Sequence, residues 1–379
     1  MAHAGLTRAF AATLAIGIGL TACTTTDTPA RRPANGTATG SVPSFSGSPG
    51  VAVAPTGAPR EVATGLGAPW SVVFVEGTPL VSERDTGRIL ELDDSGRSRV
   101  VGTIDGVAHG GEGGVLGLAV DGRSRLYVYS TGQDGNRIER YGLSGSPGSF
   151  ALGSAESVLD GLPSASYHNG GRIAFGPDGM LYAGVGDAGN SSSAQDLDAL
   201  SGKILRMTPD GDVPDDNPFP DSLVYSYGHR NIQGLAWTTD GTMFATEFGQ
   251  DTWDELNIIR PGGNYGWPTV EGRGGDEDFI DPVQQWSPAD ASPSGLLAVE
   301  GTLFIANLRG QVLRAVPLSD LSASTEFYKG EYGRIRASAL APDGALWFIT
   351  NNTDGHAEPR SGDDRIVRVE LGAGRTSGR

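Results

Sequence analysis

The chain has 379 residues, enough for one large domain or two ordinary ones, with 28 Lys plus Arg against 45 Asp plus Glu. A formal charge of -17 repels phosphate backbones and argues against a nucleic-acid partner. The single cysteine, Cys23, excludes a disulfide framework and any cysteine-based metal centre. Glycine is abundant at 58 residues, roughly twice ordinary usage. Glycine at that density among short apolar runs implies many tight turns and an all-β chain.

At the N-terminus, Arg8 precedes an apolar, small-residue run over 9–20, followed by Leu20-Thr21-Ala22-Cys23. The run is too short for a permanent membrane-spanning helix. It resembles a bacterial lipoprotein signal peptide (1–22), cleaved so that Cys23 becomes a lipidated N-terminus. An ordinary secretory signal is the alternative. Both place the mature protein outside the cytoplasm, anchored to a membrane through Cys23 or else secreted or periplasmic. Residues 23–59 are rich in Thr, Ser, Gly and Pro and are expected to form a disordered tether. A folded domain is expected over 60–372, with a disordered tail at 373–379.

Within 60–372 a unit recurs: an apolar strand, a turn ending in Gly, and a second apolar strand. It is found at 70–81 around Gly77, 116–127 around Gly122 and 173–182 around Gly179. It returns at 235–244 around Gly241, 296–304 around Gly301 and 339–347 around Gly344. The turn glycines recur at intervals of roughly 43 to 62 residues, the order expected of four-stranded blades with insertions. A third alternating strand follows each unit, at 88–92, 137–141, 203–207, 255–259, 311–315 and 365–370. The pattern predicts a six-bladed β-propeller, with a pair of β-sandwiches as the alternative. Segments 191–200, 214–221 and 272–291 are then loops around the channel mouth.

Four motifs fall at blade entrances. The central one is Tyr167-His168-Asn169-Gly170-Gly171-Arg172, followed by a Pro-Asp-Gly turn at 177–179 and by Val185-Gly186-Asp187. A hairpin with so tight a turn brings its outer ends together, placing His168 beside Asp187. An imidazole oriented by a carboxylate is suited to act as a general base near neutral pH. A buried histidine satisfying a turn is the structural alternative. Glu112 lies in a Gly-rich loop, His109-Gly110-Gly111-Glu112-Gly113-Gly114, which reads equally as a ligand approach or a flexible turn. Arg230, Asn231 and Gln233 crowd one strand entrance and can offer several hydrogen bonds to an oxygen-rich anion. Arg334 and Arg336 share one strand side, costly unless something negative lies between them or both face solvent.

The motifs around His168, Asp187 and Arg230, with Gly-Lys-Ile-Leu-Arg at 202–206 and Gly-Gly-Asn-Tyr-Gly-Trp-Pro at 262–268, resemble the glucose/sorbosone dehydrogenase family. Its members are pyrroloquinoline quinone (PQQ)-dependent aldose sugar dehydrogenases built on six-bladed propellers. The resemblance runs from about residue 60 to 371, in order. It implies oxidation of an aldose at C1 to the lactone, with an electron acceptor that the sequence does not identify. By resemblance, His168 is the general base, Asp187 its orienting carboxylate and Arg230 the arginine beside the quinone oxygens. Asn231 and Gln233 are neighbouring contacts, and Arg334 and Arg336 grip the cofactor carboxylates. Gly249 and Gln250 match the pair whose carbonyls bind Ca²⁺, a hard cation that prefers oxygen. Two positions depart from the pattern. Glu112 stands where soluble glucose dehydrogenases carry Gln, and Arg309 falls one residue from a cofactor-binding lysine. No strand–Gly-x-Gly-x-x-Gly–helix unit points to a nicotinamide or flavin site. The alternatives are a calcium-dependent lactone hydrolase, which needs a carboxylate-rich metal centre, and a non-catalytic propeller that binds sugar or a protein.

Overall fold

The computed structural model describes residues 43–374 and is all-β, with six four-stranded antiparallel sheets. The signal peptide, Cys23 and the first part of the tether lie outside the described residues. Among the described residues no helix is long and apolar enough to cross a membrane.

Each sheet is one blade, its strands adjacent in chain order. Blade 1 comprises Pro69–Val75, Thr78–Glu83, Arg88–Leu92 and Ser98–Thr103. Blade 2 comprises Val115–Val120, Leu126–Gly132, Gly135–Ser144 and Ala151–Leu162. Blade 3 runs Ile173–Phe175, Leu181–Val185, Lys203–Met207 and Val224–Tyr227, and blade 4 runs Ile232–Trp237, Met243–Glu247, Asp254–Ile259 and Gln284–Trp286. Blade 5 runs Pro293–Val299, Thr302–Asn307, Val312–Pro317 and Thr325–Phe327. Blade 6 takes Ile335–Leu340, Leu346–Thr350 and Ile366–Ala373 from the C-terminal end and its outer strand, Val53–Ala63, from the N-terminal end.

That shared blade closes the ring, with Val53 opposite Ala373 and Thr56 opposite Glu370. It also moves a boundary: the ordered strand begins at Val53, whereas the composition placed 53–59 in the tether. Pro55 and Pro59 made this stretch read as linker. On an outer strand proline is tolerated, because one row of amides has no partner to lose, and the pairing skips between Thr56 and Arg60. A second difference lies in 272–291, where the outer strand Gln284–Trp286 occupies part of the expected loop.

The apolar core is divided among the seams between blades. Val75, Leu80 and Ile89 of blade 1 meet Val115, Leu126 and Tyr141 of blade 2. Phe304 and Leu313 of blade 5 meet Ile335 and Phe348 of blade 6, while Val72 and Leu90 meet Trp347 and Ile349 across the closure. Fully burying such a side chain contributes about 1.5–3 kcal/mol, so the ring is held together at its seams. Inner strands approach closely where glycine permits it. A Cβ on Gly234 would lie 2.4 Å from the Ser294 carbonyl oxygen of the next blade, and one on Gly295 would lie 2.7 Å from Ala337 Cα.

Candidate active site

Two kinds of position converge at one mouth of the ring: residues before a blade's inner strand, and residues after its second strand. Antiparallel pairing places both at the same end of the blade. The first kind supplies Glu112, His168, Arg230, Ser292 and Arg334, and the second supplies Arg84, Asp187, Phe248, Arg309 and Asp354. The inner strands add a bulge at their entrances. Register skips between Pro69 and Ser71, Ile232 and Gly234, and Ile335 and Ala337 leave Trp70, Gln233 and Arg336 as the extra residues. All three line the cavity described below. A bulge re-aims a side chain that strict alternation would send elsewhere.

The blade 3 hairpin forms as its turn requires, with Ile173 opposite Ala183 and Phe175 opposite Leu181. His168 Nδ1 lies 2.7 Å from Asp187 Oδ1. The His168 amide donates to Glu112 Oε2 at 2.8 Å, and its carbonyl accepts from Ala188 at 3.2 Å. His168 has φ 58, a left-handed conformation unusual for a residue with a Cβ, held by these bonds from two blades. Asp187 Oδ1 also accepts from the Gly189 amide, and Oδ2 accepts from Trp267 Nε1 at 2.9 Å. Burial pushes the Asp187 carboxyl up, but the bonds from His168, Gly189 and Trp267 outweigh it and hold it below the ordinary carboxylate value.

Arg230 is linked to this pair by its carbonyl, which accepts from the Asp187 amide at 2.8 Å. Its own amide donates to Glu247 Oε2 at 2.9 Å, and Glu247 Oε1 lies 2.8 Å from Nδ1 of fully buried His229. The guanidinium donates to the Phe248 carbonyl at 3.1 Å and sits 5.4 Å from the Trp267 ring centre. Burial lowers its pKa, opposed by Asp187, Glu271, Glu112 and Asp254 around it. Arg230 Nε and Asn231 Nδ2 are buried donors without a partner among the described residues.

Beside this group lies a cavity of about 210 Å³, lined by four arginines (Arg84, Arg309, Arg334 and Arg336) against two carboxylates, Glu112 and Asp354. Gln233 and Trp70 are also in its wall, and Phe248 joins it to a smaller recess lined by Arg230, Gly249, Trp267 and Glu271. Arg334 donates to Asp354 Oδ2 at 2.9 Å, and Arg336 lies 3.5 Å from the same oxygen. Arg336 also bonds Gln233 Oε1 at 2.7 Å and Asn351 Oδ1 at 2.8 Å. Burial pushes Arg336 down to about 9, still charged at neutral pH. The negative group between the two arginines is therefore an internal one, Asp354, which the sequence reading did not single out.

Gly249 and Gln250 lie on an exposed loop tied from within. Glu271 Oε1 accepts from the amides of Gln250, Asp251, Thr252 and Trp253 at 2.7 to 3.1 Å, and Asp254 Oδ1 accepts from Gly249 at 2.8 Å. Neither the Gly249 nor the Gln250 carbonyl accepts a hydrogen bond among the described residues. The loop is thus fixed while two oxygens remain free. Burial raises Asp254 to about 6.

All the site residues expected from sequence except Asn231 are thus brought to one mouth. Glu112, Gln233, Arg309, Arg334 and Arg336 share the larger cavity, and Arg230 and Gly249 line the recess. His168 and Asp187 are tied to this group through Glu112 and Arg230, and Gln250 follows Gly249. Asn231 reaches inward instead, its Oδ1 accepting from the Gly170 amide at 3.0 Å. Sequence reasoning missed Arg84, Asp354, Trp267 and Glu271. For Arg84 and Asp354 a signal was available, since each follows a second strand as Asp187 does.

A six-bladed propeller whose mouth sets a carboxylate-held imidazole beside an arginine-rich cavity defines a class of binding site for a compact, multiply anionic molecule. Residues 66–359 match the Glucose / Sorbosone dehydrogenase family, and the chain belongs to it. The PQQ-bound aldose sugar dehydrogenase of Streptomyces coelicolor is similar with a TM-score of 0.80 at 48% identity, covering 84% of this chain and 100% of that one. Quinoprotein glucose dehydrogenase B of Acinetobacter calcoaceticus is 33% identical over 52% of this chain and 49% of its own length. Aldose sugar dehydrogenase YliI of Escherichia coli is 31% identical over 51% of this chain and 59% of its own. The chain thus spans only about half the length of these two curated relatives.

Proposed function

We propose that this protein oxidises an aldose at C1 to its lactone, using PQQ and Ca²⁺, with His168 as general base. The observation that carries the reading is the 2.7 Å His168–Asp187 pair, linked through Glu112 to a cavity where four guanidinium groups face two carboxylates. That surplus of positive charge, with the unpartnered donor Arg230 Nε in the adjoining recess, fits a polycarboxylate rich in acceptor oxygens. Arg309, Arg334 and Arg336 would hold the cofactor's carboxylates, while Arg230 and Gln233 would face its remaining polar atoms. The free carbonyls of Gly249 and Gln250 suit a calcium ion. When bound, PQQ supplies the two-electron oxidant that accepts hydride from the sugar.

The chain's own part is to position the sugar and move its proton. With Nδ1 committed to Asp187, the imidazole presents Nε2 to the C1 hydroxyl and takes its proton there. Asp187 then lies against the imidazolium that forms. Glu112 fixes the His168 backbone and brings a negative charge to the mouth, where it bears on which sugar is preferred. A lactone hydrolase would need a carboxylate-rich metal centre. Among the described residues no group of three or more His, Cys, Asp or Glu side chains is arranged to hold a metal. The Leu20–Cys23 pattern supports an extracytoplasmic, lipid-anchored location, and Cys23→Ser should release the protein from membranes.

The test is reconstitution of the full chain with PQQ and Ca²⁺, followed by an aldose panel with an artificial electron acceptor. Turnover that needs both additions and is lost with a calcium chelator is expected. No turnover on any aldose would overturn the proposal.

A further inference from the structure

Trp267 touches both the His168–Asp187 pair and Arg230. Its indole Nε1–H donates to Asp187 Oδ2 at 2.9 Å, leaving Oδ1 for His168. Its ring lies under the Arg230 guanidinium at 5.4 Å. Its backbone is pinned from both sides. The Trp267 amide donates to the Gly228 carbonyl at 2.9 Å, and Gln195 Nε2 donates to the Trp267 carbonyl at 2.7 Å. Gly228 has φ 75, and a Cβ there would lie 2.2 Å from Asn264 Oδ1, so the turn that seats the indole accepts only glycine.

We propose that Trp267 is a positioning residue. Its N–H clamps the second oxygen of Asp187, so that the carboxylate holds the His168 imidazole in one rotamer and one tautomer. The inference rests on the reading of His168 as the base and adds the group that fixes the base's partner. A carboxylate held only through Oδ1 can rotate about its Cβ–Cγ bond and let Nδ1–H exchange with solvent. The indole N–H removes that freedom while its ring keeps Arg230 in place. The N–H also favours the ionised carboxylate, one of the bonds that hold Asp187 below its ordinary value.

Trp267→Phe keeps an aromatic ring beneath Arg230 and deletes only the donor. In the quinone- and calcium-loaded enzyme, kcat should fall about tenfold, the loss of one hydrogen bond to a charged group. The acid limb of the pH profile should move to higher pH, because Asp187 is protonated more readily. In an Asp187→Asn background the same change should cost less than about twofold, since the bond acts through that carboxylate. Equal losses in both backgrounds would overturn the proposal by making Trp267 merely structural. A readout free of turnover separates this outcome from failure of the dehydrogenase reading. The chain has five histidines, so the His168 Nδ1–H proton can be assigned by NMR in the quinone-free protein through its loss in His168→Ala. It should exchange slowly in the unsubstituted protein and about tenfold faster in Trp267→Phe, the same bond being lost. An unchanged exchange rate would also overturn the proposal, whatever the activity.

Discussion

Blades 3 and 6 place an acid and a base at the same two topological positions and obtain different chemistry. In blade 3, His168 precedes the inner strand and Asp187 follows the second, 2.7 Å apart. In blade 6, Arg334 and Asp354 occupy the corresponding places, 2.9 Å apart. Burial does not distinguish them, since the two carboxylates are 2% and 1% exposed. The cation does. Imidazole changes charge near neutral pH, whereas guanidinium stays protonated. One pair can therefore move a proton, and the other can only present fixed charge. Register widens the gap. The bulge in blade 6 adds Arg336, so Asp354 serves two guanidiniums, while in blade 3 the buried cation before the inner strand, Arg172, turns to the Gln233 carbonyl and the Trp70 ring and makes no hydrogen bond to Asp187.

The sharpest way to break this comparison is to remove the base. His168→Ala should lower kcat by about 10²–10⁴-fold, the usual contribution of a general base, with quinone affinity nearly unchanged by absorbance titration. A comparable fall in both quantities would place His168 in the binding apparatus instead. Arg334→Ala should show the opposite division. Quinone affinity should fall by about 10- to 100-fold, the loss of a charge-assisted hydrogen bond, with little change in kcat at saturation. A large kcat loss at saturating quinone would mean that blade 6 contributes to the chemical step as well.

Much of this was legible in the sequence because it rests on local patterns. The inner hairpins announce themselves by period-2 apolar runs around a glycine turn, and the His168–Asp187 contact follows from the hairpin between them. Outer strands such as Thr325–Phe327 and Gln284–Trp286 are only three residues long, so their alternation is too brief to read. The outer strand Val53–Ala63 was hidden by its prolines, and its partner lies at the far end of the chain. Trp70, Gln233 and Arg336 reach the cavity through bulges, which shift a side chain without leaving a compositional trace. Asp354 was missed for a different reason. The requirement for a negative group between Arg334 and Arg336 was sound, but the resemblance assigned that role to the cofactor alone.

Asp354 therefore gives the smallest effect and the most direct measure of fixed charge in blade 6. Burial raises its carboxyl, but Arg336 and Arg334 outweigh burial and hold it below the ordinary value. A carboxylate depressed in the folded state stabilises the protein above its unfolded pKa, and that contribution is lost as pH falls through the folded one. Asp354→Asn should thus be less stable than the unsubstituted protein at neutral pH, with the gap in thermal midpoint narrowing below about pH 4. Quinone should raise the variant's midpoint by more than it raises that of the unsubstituted protein, because the cofactor's carboxylates then relieve the repulsion between Arg334 and Arg336. A gap that stays constant down through the acid range would mean that shape and hydrogen bonding at Asp354, rather than its charge, hold the arginines. Blade 6 would then differ from blade 3 by geometry alone.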